Sequence, residues 1–400
     1  MTLAVLTDLG VRVVPKGTII LTQKFIDGMV EYLKYWDGPV AAIMEPTNKP
    51  SWNLDEVEID PARLPFKVEV FSYNDPGLGR LLAGRKMILA SVSHRQNHLS
   101  TLCRSIGVPC VYVAEFTLKT VCQIIQAETS NPLLRWRRIW WRYNQERRHR
   151  RAIRMASGIQ CNGTPTFEAY REINPRPLLF FDTRVRDDWL ITEQELNERT
   201  GQLMRGGPLR LMYSGRLALM KGADHLVRVA SKLRSLRVPF EFTICGDGPL
   251  GPQIRAEITR LGLDDCVRLT GVIDFKTELT PLTKRQVDLF VCCHRQGDPS
   301  GTYVDVMSCG VPFVGYDNEA FQGIVRHSAA GWMVPMDQTD RLAEKIAELS
   351  ADRAELVNAA RKSLEFARKH TFERTFRTRI EHLKACAAAD AEGRDKVDPK

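Results

Sequence analysis

Three short segments concentrate the residue types that hold and polarise phosphate. Gly215-Arg216-Leu217 runs into Lys221-Gly222, so two cations stand five residues apart across a turn and can reach one anion. Gly246-Asp247-Gly248 follows an apolar run. The third segment is Gly297-Asp298-Pro299-Ser300-Gly301-Thr302-Tyr303-Val304-Asp305, leading through Val306-Met307-Ser308-Cys309-Gly310 into the apolar stretch VPFVGY. There Ser300 is placed to cap a helix whose first N–H groups belong to Gly301, Thr302 and Tyr303. Such a helix start is a ready phosphate site, and Gly301 lacks the side chain that would keep a phosphate off the backbone. Asp298 lies in the loop ahead and Asp305 about one turn into the helix. These carboxylates can reach opposite ends of a ligand whose phosphates rest between them. Phosphates in the middle and hydroxyl-rich groups at both ends describe a nucleotide-sugar.

The stretch Gly246-Asp247-Gly248-Pro249-Leu250-Gly251 also fits G-x-G-x-x-G between a strand and a helix, the pattern of a dinucleotide-binding turn. The acid expected at the end of the next strand is missing, because that strand ends in Thr270-Gly271. Asp264 and Asp265 precede it. Pro249 suits the first position of the following helix, where its missing N–H costs nothing. An NAD-dependent enzyme built on this turn is therefore the lesser alternative.

Taken in order, GRLxxxKG, GDGP, and an acidic loop leading to DVMSCGVPFVG resemble the donor domain of GT-B glycosyltransferases, specifically the large retaining family four (glycosyl transferases group one). GVIDF, AFQGIV in place of Gly-x-x-Glu-Ile-Val, GWMVPMD and LAEKIAEL follow in the same order. The resemblance covers about 209–350. It implies that Arg216 and Lys221 bind the donor diphosphate, with Gly246, Asp247, Ser300, Gly301, Thr302 and Asp305 around the nucleotide-sugar. It also implies a pair of acids, one for the donor sugar and one for the nucleotide ribose. Asp305 takes the second place, one methylene shorter. The first place falls on Gly297, leaving Asp298 as the nearest acid. No metal or other cofactor is expected, since fixed cations and a helix start supply the charge that a divalent ion would otherwise bring. Retaining enzymes of this type are thought to use no enzymic nucleophile.

The first half departs further from that pattern. The loop after its first strand offers only Lys16-Gly17-Thr18, so Gly17 is the residue placed near the donor phosphates. After the turn Gly107-Val108-Pro109 and the strand CVYVA stands Glu115, where a histidine is common; it becomes a candidate base for the acceptor hydroxyl. His94, after MILASVS, is a candidate for the acceptor side. A strand-end histidine held by backbone accounts for it equally well.

These residues need strand ends to stand on. The 400 residues contain 44% apolar and 26% charged side chains, an ordinary globular composition. Strand-like runs at 3–7, 39–44, 67–72, 87–92, 109–114 and 157–161 alternate with helical patterns, and a second series runs at 209–215, 240–246, 266–271, 287–293 and 311–316. The expected architecture is α/β of the GT-B class: two Rossmann-like domains facing each other across a cleft, with a C-terminal helix returning to the first. The expected divisions are 1–207 for the acceptor domain, 208–370 for the donor domain, 371–390 for the crossover helix and 391–400 for a polar tail. Thr192 to Gly207 reads as a helix followed by a linker.

The net charge of +9 is local. Arg135 to Arg154 holds nine arginines against one acid, Glu146, and the remaining chain is nearly neutral. The window has no Gly or Pro and reads as a helix, with Trp136, Ile139, Trp140 and Tyr143 on one face. An anionic membrane surface, a solvated helix whose tryptophans pack on the domain core, and a nucleic-acid backbone are its three readings. The first leads, and no nucleic acid is expected. No run approaches the ~18 apolar residues of a spanning helix. Leu3 to Leu6 reads as a strand rather than a signal peptide, and the ten cysteines show no CxxC. The expectation is a cytoplasmic, bacterial enzyme, peripheral to the inner membrane face, moving sugar from a nucleotide-diphosphate donor to a glycan or lipid-linked acceptor. A degenerate protein that binds nucleotide-sugar without turnover is the other alternative.

Overall fold

The computed structural model describes residues 2–15, 17–48, 55–297 and 301–395. The chain divides into two compact units, one from residues 1–118, 136–180 and 373–400, the other from 119–135 and 181–372.

The first unit holds β1 (Leu3–Leu6), β2 (Arg12–Val13), β3 (Ile19–Thr22), β4 (Val40–Met44), β5 (Glu56–Ile59), β6 (Lys67–Val70), β7 (Met87–Ser91), β8 (Cys110–Ala114), β9 (Gly158–Asn162) and β10 (Pro177–Phe180). Seven of them form a parallel sheet in the order β10-β9-β8-β7-β1-β4-β6. Its central strands are apolar throughout because helices cover both faces, which is why they were readable as unbroken runs. The antiparallel sheet β2-β3-β5 had no such run to announce it. Gly17 turns the β2–β3 hairpin at φ +83°, its N–H bonded to Val14 O at 2.9 Å.

The second unit holds β11 (Leu209–Ser214), β12 (Phe240–Cys245), β13 (Val267–Gly271), β14 (Leu289–Cys292), β15 (Phe313–Tyr316) and β16 (Gly331–Val334). They form a parallel sheet in the order β13-β12-β11-β14-β15-β16. This is the doubly wound order 3-2-1-4-5-6, which reverses between β11 and β14. The core gathers Leu211, Tyr213, Val227, Phe242, Ile244, Val291 and Ile346, all fully buried. The helix Glu193–Met204 belongs to this unit, tied down by the buried Arg199.

The helix Phe372–Asp395 returns to the first unit as expected. Arg379 Nε donates to Gln160 Oε1 at 2.8 Å, and Gln160 Nε2 donates to Arg379 O at 2.9 Å. The helix runs five residues into the stretch expected as a polar tail, and residues 396–400 lie outside the described ones.

Two half-buried histidines set a pH dependence. Burial, then His327 and Lys369, pulls His370 down to about 4 where it packs on Phe181 and Phe366. Burial, then Arg142 and His94, does the same to His149. A depressed imidazole means that the unfolded chain binds protons which the folded chain refuses, so stability is full above the ordinary pKa and falls as pH drops from about 6.5 toward about 4. Each group can contribute roughly 3 kcal/mol across that window. Urea midpoints measured between pH 7.5 and 4.5 should therefore stay level and then decline, and His370→Asn should flatten the decline.

Candidate functional site

Ligands of doubly wound sheets bind beyond the carboxyl ends of the strands where the order reverses. In the second unit the loops after β11 and β14 part there, and they carry the residues singled out above. Arg216 follows β11 by two positions, is exposed, and has no ion pair among the described residues. Lys221 ends the short turn Leu219–Lys221 and is half-buried. Gly222 closes that turn in the left-handed region at φ +64°, and a Cβ there would stand 1.9 Å from Cys293 O. Glycine is obligatory at this spot, since the turn lies against the end of β14.

The loops after β11 and β12 are laced together. Leu217 N–H donates to Asp247 O and Leu250 N–H to Leu217 O, both at 3.0 Å. A Cβ at Gly246 would meet Gly215 O at 2.1 Å, and one at Gly248 would meet Leu217 O at 2.6 Å. The glycines of GDG therefore let the Arg216 loop pass. Close packing of two backbones explains the dinucleotide-like spelling without a dinucleotide.

Arg295, which sequence reasoning missed, fastens this arrangement. Its N–H bonds Met220 O at 3.0 Å, and its guanidinium donates to Leu219 O at 2.5 Å. The same guanidinium forks onto Asp224 at 2.7 and 2.8 Å and reaches Asp337 Oδ1 at 2.6 Å. It also donates to His225 Nε2 at 2.7 Å, which leaves Nδ1–H of a neutral ring to donate to Tyr316 Oη at 2.8 Å. Burial, then the Arg295 charge, holds His225 below its ordinary value, in keeping with that neutral state. Burial pushes the Asp224 carboxyl up, but hydrogen bonds and charge from Arg295 outweigh it and leave the carboxyl low. The signal in the sequence was a charged residue two positions after the apolar strand VDLFVCC. Asp224 and His225 lie about 70 residues upstream and Asp337 lies 42 downstream, beyond the reach of any local pattern.

Asp298 and Ser300 lie outside the described residues. The helix that follows is Thr302–Met307, with Gly301 rather than Ser300 at its N-cap position and no side-chain cap bond. Asp305 accepts a hydrogen bond at 2.7 Å from Thr183, a buried residue of the segment leading into this unit. A Cβ on Gly301 would be 3.8 Å from Asp305 Oδ2 and 3.4 Å from Asp182 O, so Gly301 faces no steric demand from the chain itself.

The remaining candidates belong to the first unit. Glu115 is exposed at the end of β8 and accepts from Asn162 Nδ2 at 2.7 Å. His94 follows β7, its ring edge-on to Trp141 at 5.3 Å. Burial, then Arg142, lowers its pKa. Gly17, at its hairpin tip, is not at the strand ends. Asp8, after β1, is bonded by Gln96 Nε2 at 3.2 Å and was not anticipated. Among the described residues no group of three or more His, Cys, Asp or Glu could hold a metal ion.

Residues 195–368 match the family model of glycosyl transferases group 1. This segment thus resembles the group 1 glycosyl transferases. The matched segment contains β11 to β16 and every site residue from Arg216 to Asp305. Among curated proteins, the amylovoran biosynthesis glycosyltransferase AmsK of Erwinia amylovora is 31% identical over 159 residues, covering 38% of each chain. An alpha-D-kanosaminyltransferase of Streptomyces kanamyceticus is 28% identical over 158 residues, covering 40% of each. The matched stretch is thus well under half the length of these relatives. Among solved structures, the Anabaena protein HepE in complex with UDP superposes with a TM-score of 0.67 at 16% identity, covering 96% of this chain and all of that one. The fold is that of GT-B glycosyltransferases, with two Rossmann-like units.

Outside the matched segment, the basic window forms the helix Pro132–Met155. Its buried positions are Gln145, Ala152 and Ile153. Leu133, Trp136, Trp140 and Tyr143 are 80%, 68%, 58% and 57% exposed. The tryptophans of this stripe do not pack on a core, and that reading of the helix is set aside.

Proposed function

We propose that this protein is a glycosyltransferase that moves a sugar from a nucleotide-diphosphate donor to an acceptor hydroxyl with retention of anomeric configuration. The observation that carries the reading is the pair Arg216 and Lys221 at the switch point of the second sheet, on a turn locked by Gly222 and Arg295. As the glycosidic bond breaks, charge builds on the leaving diphosphate. Cations already fixed in place stabilise it without reorganisation. Asp305, oriented by Thr183, is assigned to the nucleotide ribose, and the diphosphate oxygen takes the acceptor proton on the same face. Because the two side chains neutralise the phosphates, added magnesium should not be required. The match to group 1 and relatives such as the amylovoran enzyme support a role in polysaccharide synthesis, and a lipid-linked glycan acceptor belongs to the same reading.

A thermal-shift panel with UDP, GDP, ADP and NAD, each with and without magnesium, tests the reading. A ligand at 100 times its Kd adds about 2.7 kcal/mol of stability. One nucleoside diphosphate should win, with or without the metal. A win by NAD, or no response, defeats the proposal.

The acceptor side includes a membrane in this reading. The outward stripe Leu133, Trp136, Trp140 and Tyr143 continues into Arg147, Arg151 and Arg154, so aromatics and arginines share the solvent-facing side of one helix. Aromatics suit the bilayer interface and arginines its anionic headgroups. No helix among the described residues is long and apolar enough to cross a membrane. Eight of the ten cysteines are buried, which suits thiols of the reducing cytoplasm. In this reading the protein works at the inner face of the membrane. It should float with vesicles containing 30 mol% anionic lipid and not with neutral ones, and the double variant Trp136→Ala, Trp140→Ala should weaken flotation. Equal behaviour with both vesicle types removes the membrane from the proposal.

A further inference from the structure

Gly297 poses a question of its own. It is not among the glycines of positive φ, so its backbone does not require glycine. What excludes a side chain is a neighbour: a Cβ built on Gly297 would stand 2.8 Å from Oε2 and 3.2 Å from Cβ of Glu319. The space where residue 297 would project is filled by a carboxylate arriving from elsewhere in the chain.

That carboxylate is held deliberately. Glu319 opens the helix Glu319–Ser328, where an acid is favoured by the helix dipole. Asn318 caps this helix by accepting from Phe321 N–H at 2.9 Å, and its Nδ2 donates to His294 O at 3.0 Å, pinning the helix start to the loop after β14. Across the same loop, Thr120 donates to Gly297 O at 3.1 Å, and Lys119 pairs with Glu319. Glu319 nonetheless keeps 36% of its side chain exposed, so its oxygens retain room for further hydrogen bonds.

The carboxylate also stands close to the cations. Arg295 is bonded to Met220, the residue before Lys221, and Gly297 is two residues beyond Arg295. At about 3.8 Å per residue, Glu319 lies on the order of 10 Å from the Lys221 turn. A hexose attached to a diphosphate held by Arg216 and Lys221 spans that distance.

We propose that Glu319 is the carboxylate that accepts hydrogen bonds from the hydroxyl groups of the donor sugar, taking the place left empty by Gly297. The inference rests on the transferase reading above and assigns its sugar contact to a residue 22 positions from the glycine. The start of the helix, pinned by Asn318, holds the carboxylate in place, and a sugar's vicinal hydroxyls satisfy the lone pairs that Lys119 leaves open.

The test separates a sugar contact from a merely structural ion pair. Calorimetric titration of the wild type with UDP, GDP and ADP, and with UDP-glucose, GDP-mannose and ADP-glucose, selects the best-bound nucleotide and its sugar conjugate. Glu319→Gln should then bind the conjugate about ten- to a hundredfold more weakly, the usual effect of losing charge-assisted hydrogen bonds, while binding the bare diphosphate within about twofold of wild type. Lys119→Ala, which breaks the same ion pair but keeps the carboxylate, should change both affinities by less than about threefold, as an exposed pair contributes little. Glu319→Asp should recover part of the loss. An equal loss for conjugate and diphosphate, or matching losses in Lys119→Ala and Glu319→Gln, overturns the proposal. If the wild type binds no nucleoside diphosphate at all, the transferase reading fails first and carries this inference with it.

Discussion

Alanine at both Arg216 and Lys221 is expected to abolish measurable sugar transfer while leaving the fold intact. Arg216 is exposed and Lys221 half-buried on a turn whose shape is set by Gly222, Arg295 and Asp224, none of which the double variant touches. Each fixed cation facing charge that develops in the transition state is worth about 3–4 kcal/mol, or 10²- to 10³-fold in rate. Removing both should cost at least 10³-fold in kcat/KM. Affinity for the bare nucleoside diphosphate should fall by a smaller factor, because the diphosphate gains charge only as it leaves. Arg216→Lys should recover only part of the activity, since an ammonium cannot make the two-point contact of a guanidinium. Nucleotide release assays with the single and double variants check this. A double variant within tenfold of wild type would mean that the phosphates bind elsewhere.

The second large effect concerns stability. Arg199, on the helix Glu193–Met204, is 3% exposed and donates to Cys309 O at 2.6 Å, Lys284 O at 3.1 Å, Thr283 O at 3.4 Å and also to Gly310 O. Burial pulls its pKa down to about 10, still far enough above neutrality to keep it charged. One guanidinium thus satisfies the carbonyls at the C-terminal ends of two helices, including the Cys309-Gly310 turn that closes the helix carrying Asp305. Arg199→Met keeps much of the volume and strands those carbonyls away from water. The expected cost is about 3–5 kcal/mol, in the range for breaking a buried charged network. Urea unfolding should show the transition of the second unit moving to much lower denaturant, with the first unit holding its own midpoint. A shift below about 1 kcal/mol would mean that water replaces the guanidinium.

Much of this protein is legible one segment at a time. Both parallel sheets announce themselves as apolar runs because strands buried on two faces admit no polar alternation. GRLALMKG and GDG are readable because tight turns and touching backbones restrict the residue types that fit, as at Gly222 and Gly246. The short strands β2, β3, β5, β10 and β16 were missed because two to four residues are too few to set a run apart from its surroundings.

What the sequence by itself determined, then, is the alternation of strands and helices, the glycines that allow close approach, and the placing of Arg216 and Lys221 at a strand end. The alternation and the strand-end placing depend on neighbours within a few residues, and the glycines are visible by type although the backbones they admit, at Cys293 and Gly215, come from distant parts of the chain. Tertiary structure decided the rest. It turned the Leu133–Tyr143 stripe outward, where periodicity shows that a stripe exists but not which way it faces. It tied the 219–221 turn to Arg295 and Asp224, and it laid Glu319 over Gly297. Each of these contacts joins residues that the chain keeps apart and only the winding of the sheet brings together, so no local pattern of side chains records them.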